Sequence, residues 1–389
     1  MTELARAWLN GQPVPAARAA AAAASLLAGS RSAVVAGMGT DVAGVRASVA
    51  LAQAIGGSID HMDAQAVFAN LEVMRRAGWI VTTPLQTRAR ADLVLLVGDG
   101  LVEAWPDMAE RLALSEAPTV AGGSRKVVHL CPGGTLPPSW PGLSGQPIPA
   151  RAGIGGPDKP GHEDRATTLR TIAAGKPILP ALAALRAMVA GRNTSLDETA
   201  AAPLRGLAAT LAASRFGVAV WSSAALDTLA VEMLCGLIDD LNKTTRFAGL
   251  PLAPANGAEA VAQALTWITG FPPRTGFAAP APRHDRWRFD AQRLIGSGEA
   301  DAAVWISAFS AKPPDWDKTV PTIALVPAGT AFRTPPQVVF EVGCPGRDHD
   351  AMLFDPAPGG IVFCAASAPS AAASVAATLA AITAALPPC

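Results

Sequence analysis

The turn with the clearest chemical signal is rich in glycine and stands between a predicted strand and a predicted helix. Its glycines are Gly37, Gly39 and Gly44, and glycine in such a turn lets a pyrophosphate approach the amino end of the following helix. The third glycine of the dinucleotide-binding fingerprint would fall at Val42, so Gly44 comes two residues late, while Asp60 stands at about the distance expected for a ribose contact. The pattern leaves two interpretations, a dinucleotide site and an ordinary strand-to-helix turn, and it favours the ordinary turn.

Side chains that could bind a metal occur at three places in the chain. These are Asp60 with His61 and Asp63, His162 with Glu163 and Asp164, and Cys344 with His349 and Asp350. None has the HxH or HxxxH spacing that brings two imidazoles to one metal, so polar loops are the better interpretation. The five histidines leave a Ser–His–Asp site open, but no GxSxG nucleophile elbow occurs. We therefore assign no catalytic, cofactor-binding or metal-binding residue from the sequence.

The tryptophans divide by their surroundings. Four lie in or beside predicted strands and helices, where a place in the core is the simplest interpretation: Trp79, Trp221, Trp267 and Trp305. Four others lie in loops that contain proline or arginine, where anchoring to a partner is plausible: Trp105, Trp140, Trp287 and Trp316. Three arginines surround one of these, at Arg283, Arg286 and Arg288. A solvated loop is the ordinary interpretation of these arginines, and contact with an anion or an acidic chain is the alternative.

The elements that would position these residues alternate between strands and helices. Strands are predicted at 32–37, 79–82, 93–97, 126–130, 216–221, 247–252, 302–307, 322–326, 337–342 and 361–365, and helices at 41–55, 178–189, 224–241, 256–268 and 290–298 and at the C-terminus. The run LVLLV at 93–97 is typical of a strand buried on both faces of a parallel sheet. Two similar segments, ARADLVLLV and GEADAAVWIS, indicate a duplicated α/β unit with parallel sheets.

The predicted domain organisation follows the order of the chain. A first α/β lobe covers 1–130, a Pro/Gly-rich arm or linker covers 131–165, and a second α/β lobe with a C-terminal helix covers 166–389. A stretch as long as the arm without periodicity is typical of a linker or of a segment that wraps a partner.

Composition limits the class of protein. The 389 residues are 50% hydrophobic, and 31 basic side chains balance 31 acidic ones. This balance argues against a nucleic-acid-binding protein and favours association with other proteins. Five dispersed cysteines without a CxxC pair are typical of reduced thiols in a cytoplasmic protein. The uncharged C-terminal segment is long enough to suggest a membrane anchor, but its large apolar residues form one helical stripe suited to packing on a sheet, so no membrane span is predicted.

Six collinear segments together carry a family resemblance. They are AVVAGMGTDVAGVRASVALAQAIGGSID (33–60), RADLVLLVGDGLVEAWPDMAERL (90–112), RFGVAVWSSAALDTLAVEMLCGLIDDLNKTTRF (215–247), ALTWITGFPPRTGF (264–277), AQRLIGSGEADAAVWIS (291–307) and VVFEVGCPGRDHDAMLFDPAPGG (338–360). In this order they resemble the B subunit of formylmethanofuran dehydrogenase, a member of the molybdopterin oxidoreductases. The resemblance covers most of the chain from about residue 20 and implies duplicated Rossmann-like lobes with parallel sheets.

The chain departs from that family where the redox groups would be bound. The family begins with a domain that holds a [4Fe–4S] cluster on closely spaced cysteines, which are absent here. It supplies cysteine or selenocysteine to tungsten or molybdenum just after the segment that matches 56–60, where this chain reads HMDAQAVFAN. The family's pterin-holding residues correspond to Asp99-Gly100 and to Ala308-Phe309-Ser310. An added acid beside a phosphate-bearing pterin would repel it.

This pattern is similar to the B subunits of the bacterial formyltransferase/hydrolase complexes of methylotrophs. The similarity implies a non-catalytic structural protein that binds no cofactor, in a complex that moves a formyl group from a tetrahydromethanopterin carrier to a methanofuran-type carrier and hydrolyses it to formate. The implied partners are an amidohydrolase-like A subunit, a formyltransferase and a C subunit, and the chain would also guide the methanofuran-type carrier.

Two alternatives remain from the residues themselves. One is a cofactor-dependent oxidoreductase, similar to formylmethanofuran dehydrogenase, that uses the turn from Gly37 to Gly44. The other is a carrier-binding module in which Arg283, Arg286 and Arg288 hold an acidic carrier tail.

Overall fold

A computed structural model describes residues 6–120, 123–132, 168–175, 177–316 and 319–387. It shows a mixed α/β protein in which parallel strands form the middle of one large sheet and the whole of a second. The predicted arm at 131–165, apart from its first two residues, lies outside the described part of the chain, as do Trp140 and the group formed by His162, Glu163 and Asp164.

The strands and helices have the following bounds. The strands are β1 (Ala7–Leu9), β2 (Gln12–Val14), β3 (Ala33–Gly39), β4 (Ser58–Ile59), β5 (Leu93–Val97), β6 (Lys126–Cys131), β7 (Thr168–Ala173), β8 (Gly217–Ser222), β9 (Phe247–Leu252), β10 (Thr275–Gly276), β11 (Arg283–His284), β12 (Ala302–Ser307), β13 (Thr322–Val326), β14 (Val338–Glu341), β15 (Ala351–Asp355) and β16 (Gly360–Cys364). The helices are α1 (Ala16–Ala28), α2 (Val42–Ala54), α3 (Ala64–Ala77), α4 (Pro84–Arg90), α5 (Leu101–Ala104), α6 (Met108–Arg111), α7 (Leu179–Val189), α8 (Glu198–Ala212), α9 (Thr228–Leu241), α10 (Ala258–Thr269), α11 (Ala291–Ser297) and α12 (Val375–Ala384).

The chain divides into two compact units whose boundaries differ from the predicted lobes. Unit 1 combines the described residues of 1–67, 255–355 and 361–389, and unit 2 combines those of 68–254 and 356–360. The predicted boundaries at 130 and 165 do not coincide with these, because strands far apart in sequence pair with each other. β12, from the predicted second lobe, pairs in parallel with β3, and β8 pairs in parallel with β5. Chain order alone does not show which parallel strands become neighbours.

The sheet of unit 1 has the order β11-β10-β4-β3-β12-β13-β14-β1-β2. The strands from β4 to β14 in this order are parallel, and the outer strands on both sides are antiparallel. Successive residues of β3 face opposite layers: Val35 packs in the core with α1, α2, α10 and α12, whereas Val34 packs with α11. The chain runs from β3 outward to β4 on one side and enters β12, β13 and β14 on the other. β3 and β12 therefore flank the point at which the strand order reverses, which we call the reversal point.

The sheet of unit 2 has the order β7-β6-β5-β8-β9 and is parallel throughout. β5 confirms the prediction from its apolar run: Leu93 and Leu95 pack in the core on one face, and Val94 and Leu96 pack in the core on the other. The chain passes from β5 to β6 and β7 in one direction, and β8 and β9 lie in the other. The reversal point of unit 2 is therefore between β5 and β8. Open parallel sheets bind ligands at such a point, outside the carboxyl ends of the strands.

The repeated Ala-Asp dipeptide has the same role in both units. The carboxylate of Asp92, just before β5, accepts a hydrogen bond of 3.0 Å from the backbone N–H of Phe216, just before β8. The carboxylate of Asp301, just before β12, accepts a hydrogen bond of 3.0 Å from the backbone N–H of Ser32, just before β3. Each aspartate ties together the amino ends of the two strands that flank a reversal point.

Two local predictions were wrong. Residues 79–82 form no strand and contribute only an isolated bridge between Val81 and Gly249. The spacing of Asn256 and Glu259 predicts a capping box at the start of α10, but Asn256 and Gly257 both have positive φ angles, and Gly257 is the residue before the helix.

The tryptophan predictions hold in part. Trp221 and Trp305 are buried, but Trp267 is 66% exposed at the end of α10, and Trp105 is buried rather than available to a partner. Trp287 is 70% exposed, as its loop position indicated.

The C-terminal helix α12 buries the predicted stripe, in which Val375, Leu379 and Ile382 enter the core of unit 1. Among the residues that the structure describes, no helix has both the length and the apolar character needed to cross a bilayer.

Candidate functional site: the two reversal points

The glycines after β3 allow close packing in unit 1. Gly37 has a φ of +78°, and a Cβ there would lie 2.5 Å from the carbonyl oxygen of Ile306 in the neighbouring strand. A Cβ on Gly44 would lie 1.9 Å from the hydroxyl oxygen of Thr40. Both distances are far below van der Waals contact, so a side chain at either position would displace the turn. Close packing is therefore sufficient to explain the glycines that suggested a phosphate-binding turn.

The amino end of α2 is occupied by a side chain of the protein. Asp41 caps this helix, and its carboxylate accepts hydrogen bonds from the backbone N–H of Gly44 (3.0 Å) and from the hydroxyl of Thr40 (3.3 Å). Asp41 and Thr40 are both buried. In a dinucleotide site this N–H would face a phosphate, and a buried carboxylate in the same place repels one. The turn therefore does not fit a dinucleotide or a phosphate-bearing pterin.

The crevice at this reversal point is filled except for a small cavity beside Asp60. A Cβ on Gly257, just before α10, would lie 2.8 Å from the ring of Phe309 and 3.2 Å from the carbonyl oxygen of Thr40. Phe309 follows β12, so the ends of β3 and β12 are covered by an aromatic ring and by the turn that leads into α10. Ser310, next in the chain, donates a hydrogen bond of 3.0 Å to the side chain of Asn256. The segment compared with a pterin-holding loop instead connects elements of unit 1.

His61 is buried and fully engaged by hydrogen bonds. Its Nδ1 accepts a hydrogen bond of 2.9 Å from the backbone N–H of Asp63, so the ring proton is on Nε2, which lies 3.2 Å from the carbonyl oxygen of Asn256. Burial lowers the pKa of His61 and keeps the imidazole neutral. Asp63 in turn accepts a hydrogen bond of 3.0 Å from the Asn256 amide. Both ring nitrogens are used, which leaves none for a metal.

Asp60 is a buried carboxyl group that joins β4 to α11. It accepts hydrogen bonds from the backbone N–H groups of His61 (2.8 Å) and Ala291 (2.9 Å), and Arg274 Nε lies 3.4 Å from it. Burial raises the pKa of Asp60 to about 7, against the opposing effect of Arg274. Arg274 also pairs with Asp290 at 2.6 Å. The expected ribose-contacting acid is thus a structural link, and the cavity beside it is small, about 80 Å³.

The two candidate metal-binding groups in the described part of the chain do not assemble. Within the described ranges, no three side chains of histidine, cysteine, aspartate or glutamate lie close enough together to hold a metal ion. Asp350 accepts a backbone hydrogen bond from Ala366, and His349 Nδ1 lies 2.9 Å from the carbonyl oxygen of Asp350. The four described cysteines form no disulfide.

The reversal point of unit 2 holds a much larger cavity, about 570 Å³. Gly98 and Asp99, after β5, form one part of its wall, and Asp227, before α9, forms another. The buried side chains of Ile178 and Leu226 give it an apolar floor. The Asp227 carboxylate caps α9 by accepting a hydrogen bond of 2.8 Å from the backbone N–H of Ala230. Carboxylates over an apolar floor suit an uncharged or cationic group and disfavour phosphate.

Sequence reasoning missed His129, a buried side chain at this edge of unit 2. Its Nε2 lies 3.0 Å from the carbonyl oxygen of Gly98, and burial lowers its pKa. Only the pairing of β6 with β5 brings the imidazole to that loop, and no local pattern around His129 signals this pairing.

The predicted basic group lies on β11 and the turn after it. The carbonyl oxygen of Arg286 accepts a hydrogen bond of 2.7 Å from Arg274, and the guanidinium of Arg288 lies 5.5 Å from the ring centroid of Phe289. Arg283 and Arg288 are exposed.

Comparison with known proteins decides the family. No family model matches the chain. The B subunit of the formyltransferase/hydrolase complex Fhc of Methylorubrum extorquens is 34% identical over 368 residues, which cover 94% of this chain and 92% of that protein. The chain belongs to this family of B subunits.

A solved structure agrees with that assignment. A chain in the crystal structure of the formyltransferase/hydrolase complex FhcABCD of Methylorubrum extorquens, solved with methylofuran, superimposes with a TM-score of 0.77. The two chains are 33% identical, and the match covers 97% of each. The resemblance to the B subunits of formyltransferase/hydrolase complexes that was read from the sequence is confirmed.

Proposed function

We propose that this chain is a structural, non-catalytic B subunit of a formyltransferase/hydrolase complex in one-carbon metabolism. The full-length similarity to the B subunit of the Fhc complex carries the proposal. The match extends over nearly the whole of both chains. A protein that keeps this fold without a reactive centre contributes to the assembly of its complex.

The residues at the reversal points support the non-catalytic part of the proposal. The segment after β4 offers no thiolate, and the imidazole of His61 is committed to hydrogen bonds within unit 1. The amino ends of α2 and α9 are capped by Asp41 and Asp227. A pterin bearing phosphate and metal does not fit these residues, and we derive no chemical step through one.

The proposed partners are the other subunits of the complex: an amidohydrolase-like A subunit, a formyltransferase and a C subunit. The complex as a whole would transfer a formyl group from a tetrahydromethanopterin carrier to a methanofuran-type carrier and hydrolyse it to formate. We further propose that the two sheets derive from the duplicated Rossmann-like lobes of the molybdopterin oxidoreductases. The parallel order β7-β6-β5-β8-β9 of unit 2 supports this.

Reconstitution tests the function. The chain is co-expressed with its partners, and the complex is purified through a tag on one of those partners and assayed for formyl transfer and hydrolysis. We expect the chain to co-purify in fixed stoichiometry, and its omission to prevent assembly. A complex that assembles and reacts fully without the chain would overturn the proposal, as would stoichiometric tungsten, molybdenum or iron–sulfur bound to this chain.

The alternative of a dinucleotide-dependent oxidoreductase meets the obstacle of Asp41. Thermal unfolding with and without NAD(P)(H) tests it, and we expect no shift. A reproducible increase in melting temperature that disappears in a Gly39→Val variant would favour the alternative.

A further inference from the structure

The turn after β11 in unit 1 presents an exposed tryptophan that is held in place. Trp287 is 70% exposed, yet the Asp285 carboxylate accepts hydrogen bonds from the backbone N–H groups of Trp287 (2.9 Å) and Arg288 (2.8 Å). From α11, Arg293 donates hydrogen bonds to the carbonyl oxygens of Trp287 (2.9 Å) and Arg288 (2.8 Å). Its guanidinium also lies 4.1 Å from the Trp287 ring centroid and pairs with Glu299. The turn is therefore fixed from both sides while the indole faces solvent.

Such an arrangement suits binding better than stability. Leaving a large aromatic side chain in water forgoes the free energy of burying it. A side chain already held in one conformation loses little entropy when a partner covers it. Tryptophan and arginine are also the residues most enriched among those that dominate binding energy at protein interfaces.

The charges around Trp287 indicate what kind of partner would fit. Arg283 and Arg288 are both exposed, and Arg288 interacts electrostatically with the carboxylates of Asp285 and Glu299. The ring of Phe271, 37% exposed, stacks on His284 with the ring centroids 6.1 Å apart. Glu299 is paired with Arg293, so the carboxylate of Asp285 balances only one of the two positive charges of Arg283 and Arg288. A local excess of positive charge remains beside the exposed aromatic rings.

We propose that the surface formed by Phe271, Arg283, Trp287 and Arg288, the Trp287 surface, docks an acidic face of another protein of the complex. This inference rests on the proposed function. Trp287 enters an apolar pocket of the partner, and the two arginines pair with carboxylates at its rim. Charge complementarity of this kind speeds association and fixes orientation, while the tryptophan slows dissociation.

The test measures binding of the full-length chain to its partner subunits, which are expressed and purified in its absence. The variants are Trp287→Ala, the double charge reversal Arg283→Glu/Arg288→Glu, and the charge-preserving control Arg283→Lys/Arg288→Lys. Leu85→Ala is a matched control, because Leu85 is 72% exposed and lies in unit 2. Thermal unfolding of each variant establishes that it folds.

We expect Trp287→Ala to raise Kd at least about 30-fold, as removal of a dominant interface tryptophan does. The charge reversal should weaken binding most at low salt, while the lysine control and Leu85→Ala should bind within about threefold of wild type. If wild type binds and both Trp287→Ala and the charge reversal bind equally well, the docking inference is wrong and the proposed function stands. If wild type itself does not bind, the proposed function fails.

Two further results would assign the surface to a different occupant. Self-association of the chain that Trp287→Ala abolishes, with binding to the rest of the complex unchanged, would make it a contact between copies of this chain. Binding to anionic phospholipid vesicles that the charge reversal abolishes, again with binding to the rest of the complex unchanged, would make it a membrane contact. Either result overturns the proposal.

Discussion

The two reversal points have the same position in their sheets, but side chains and backbone fill most of the one in unit 1, whereas the one in unit 2 holds a large cavity. In unit 1, the ring of Phe309 and the turn at Gly257 fill the space beyond β3 and β12. In unit 2, a cavity of about 570 Å³ lies beyond β5, β6 and β8. Topology places the opening at the carboxyl ends of the strands in both units, but the first few residues after each strand decide whether it stays open.

The units are alike in one respect, which is the capping of a helix that begins at the reversal point. Asp41 in unit 1 and Asp227 in unit 2 each place a carboxylate on helix N–H groups. Neither helix end is therefore available to a phosphate. The two units differ in the volume of the space at the reversal point. The aspartate cap that they share distinguishes both of them from nucleotide-binding proteins.

The largest expected effect is on the pH dependence of stability. Unit 1 holds the buried carboxyl group of Asp60 just after a strand, whereas Asp99, just after a strand of unit 2, is exposed. With a pKa of about 7 in the folded protein, Asp60 contributes stability that is fully present below about pH 4 and is lost as the pH rises through 7. The contribution is at most about 4 kcal/mol. We expect Asp60→Asn to gain stability relative to wild type between pH 4 and pH 8, measured by urea unfolding at several pH values.

The quantity to measure is the difference in the free energy of unfolding between wild type and Asp60→Asn at each pH. The lowered pKa of His61 acts in the opposite direction, since its contribution is lost as the pH falls below its usual value of 6.5. Parallel stability curves for wild type and Asp60→Asn would show that Asp60 titrates normally in the folded protein.

Glycine replacements test whether the two openings really differ in packing. Gly257→Ala requires a Cβ 2.8 Å from the Phe309 ring at a φ of +73°, and we expect it to cost about 3 kcal/mol from strain and overpacking together. Gly98→Ala has a similar φ, +79°, but its nearest atom is a terminal carbon of Leu226 at 3.1 Å beside the cavity. We expect Gly98→Ala to lower the free energy of unfolding by about 1 kcal/mol. Equal losses in chemical denaturation would contradict the comparison.

The helix caps provide a finer comparison. Asp41→Ala removes a buried cap, with an expected loss of about 2 kcal/mol, and Asp227→Ala removes an exposed one, with a loss of about 1 kcal/mol. Denaturant midpoints of the two variants measure the difference. Asp41→Asn, which keeps an accepting oxygen, should recover most of the stability lost in Asp41→Ala, and failure to do so would mean that the charge rather than the cap matters.

The smallest effect is expected from filling the open cavity. Ala225 is exposed and lines the opening in unit 2, so Ala225→Leu should change the free energy of unfolding by less than about 0.5 kcal/mol. A melting temperature clearly below that of wild type would show that the opening is less spacious than its volume indicates.

Patterns within single elements were readable from the sequence, and pairings between distant elements were not. The bounds of β5 follow directly from its uninterrupted apolar run. Those of β12 and β13 follow from apolar runs that each adjoin one polar residue, Ser307 and Thr322. The helix α1, AARAAAAAASLLA, was missed, although one of its faces is apolar and enters the core through Ala19, Ala23 and Leu27. The neighbours β3 and β12 were assigned to different lobes, since no local pattern specifies a partner so far along the chain.

The residues of the site show the same division. The packing role of Gly44 depends on Thr40, and that of Gly257 depends on Phe309. The first contact is local, but the second joins the ends of two elements separated by about fifty residues. The left-handed backbone of Asn256, with a φ of 57°, has no local signature, so a capping box was the natural expectation there.

The insertion of unit 2 within unit 1 has a consequence for biosynthesis. All strands of the parallel sheet in unit 2 lie between residues 93 and 252, whereas the sheet of unit 1 needs β3 from one side of that stretch and β12, β13 and β14 from the other. A ribosome has therefore delivered the second sheet in full before the first has its central pair. Until then β3 and β4 are without most of their neighbours, and nascent chains with unpaired strands are prone to aggregate.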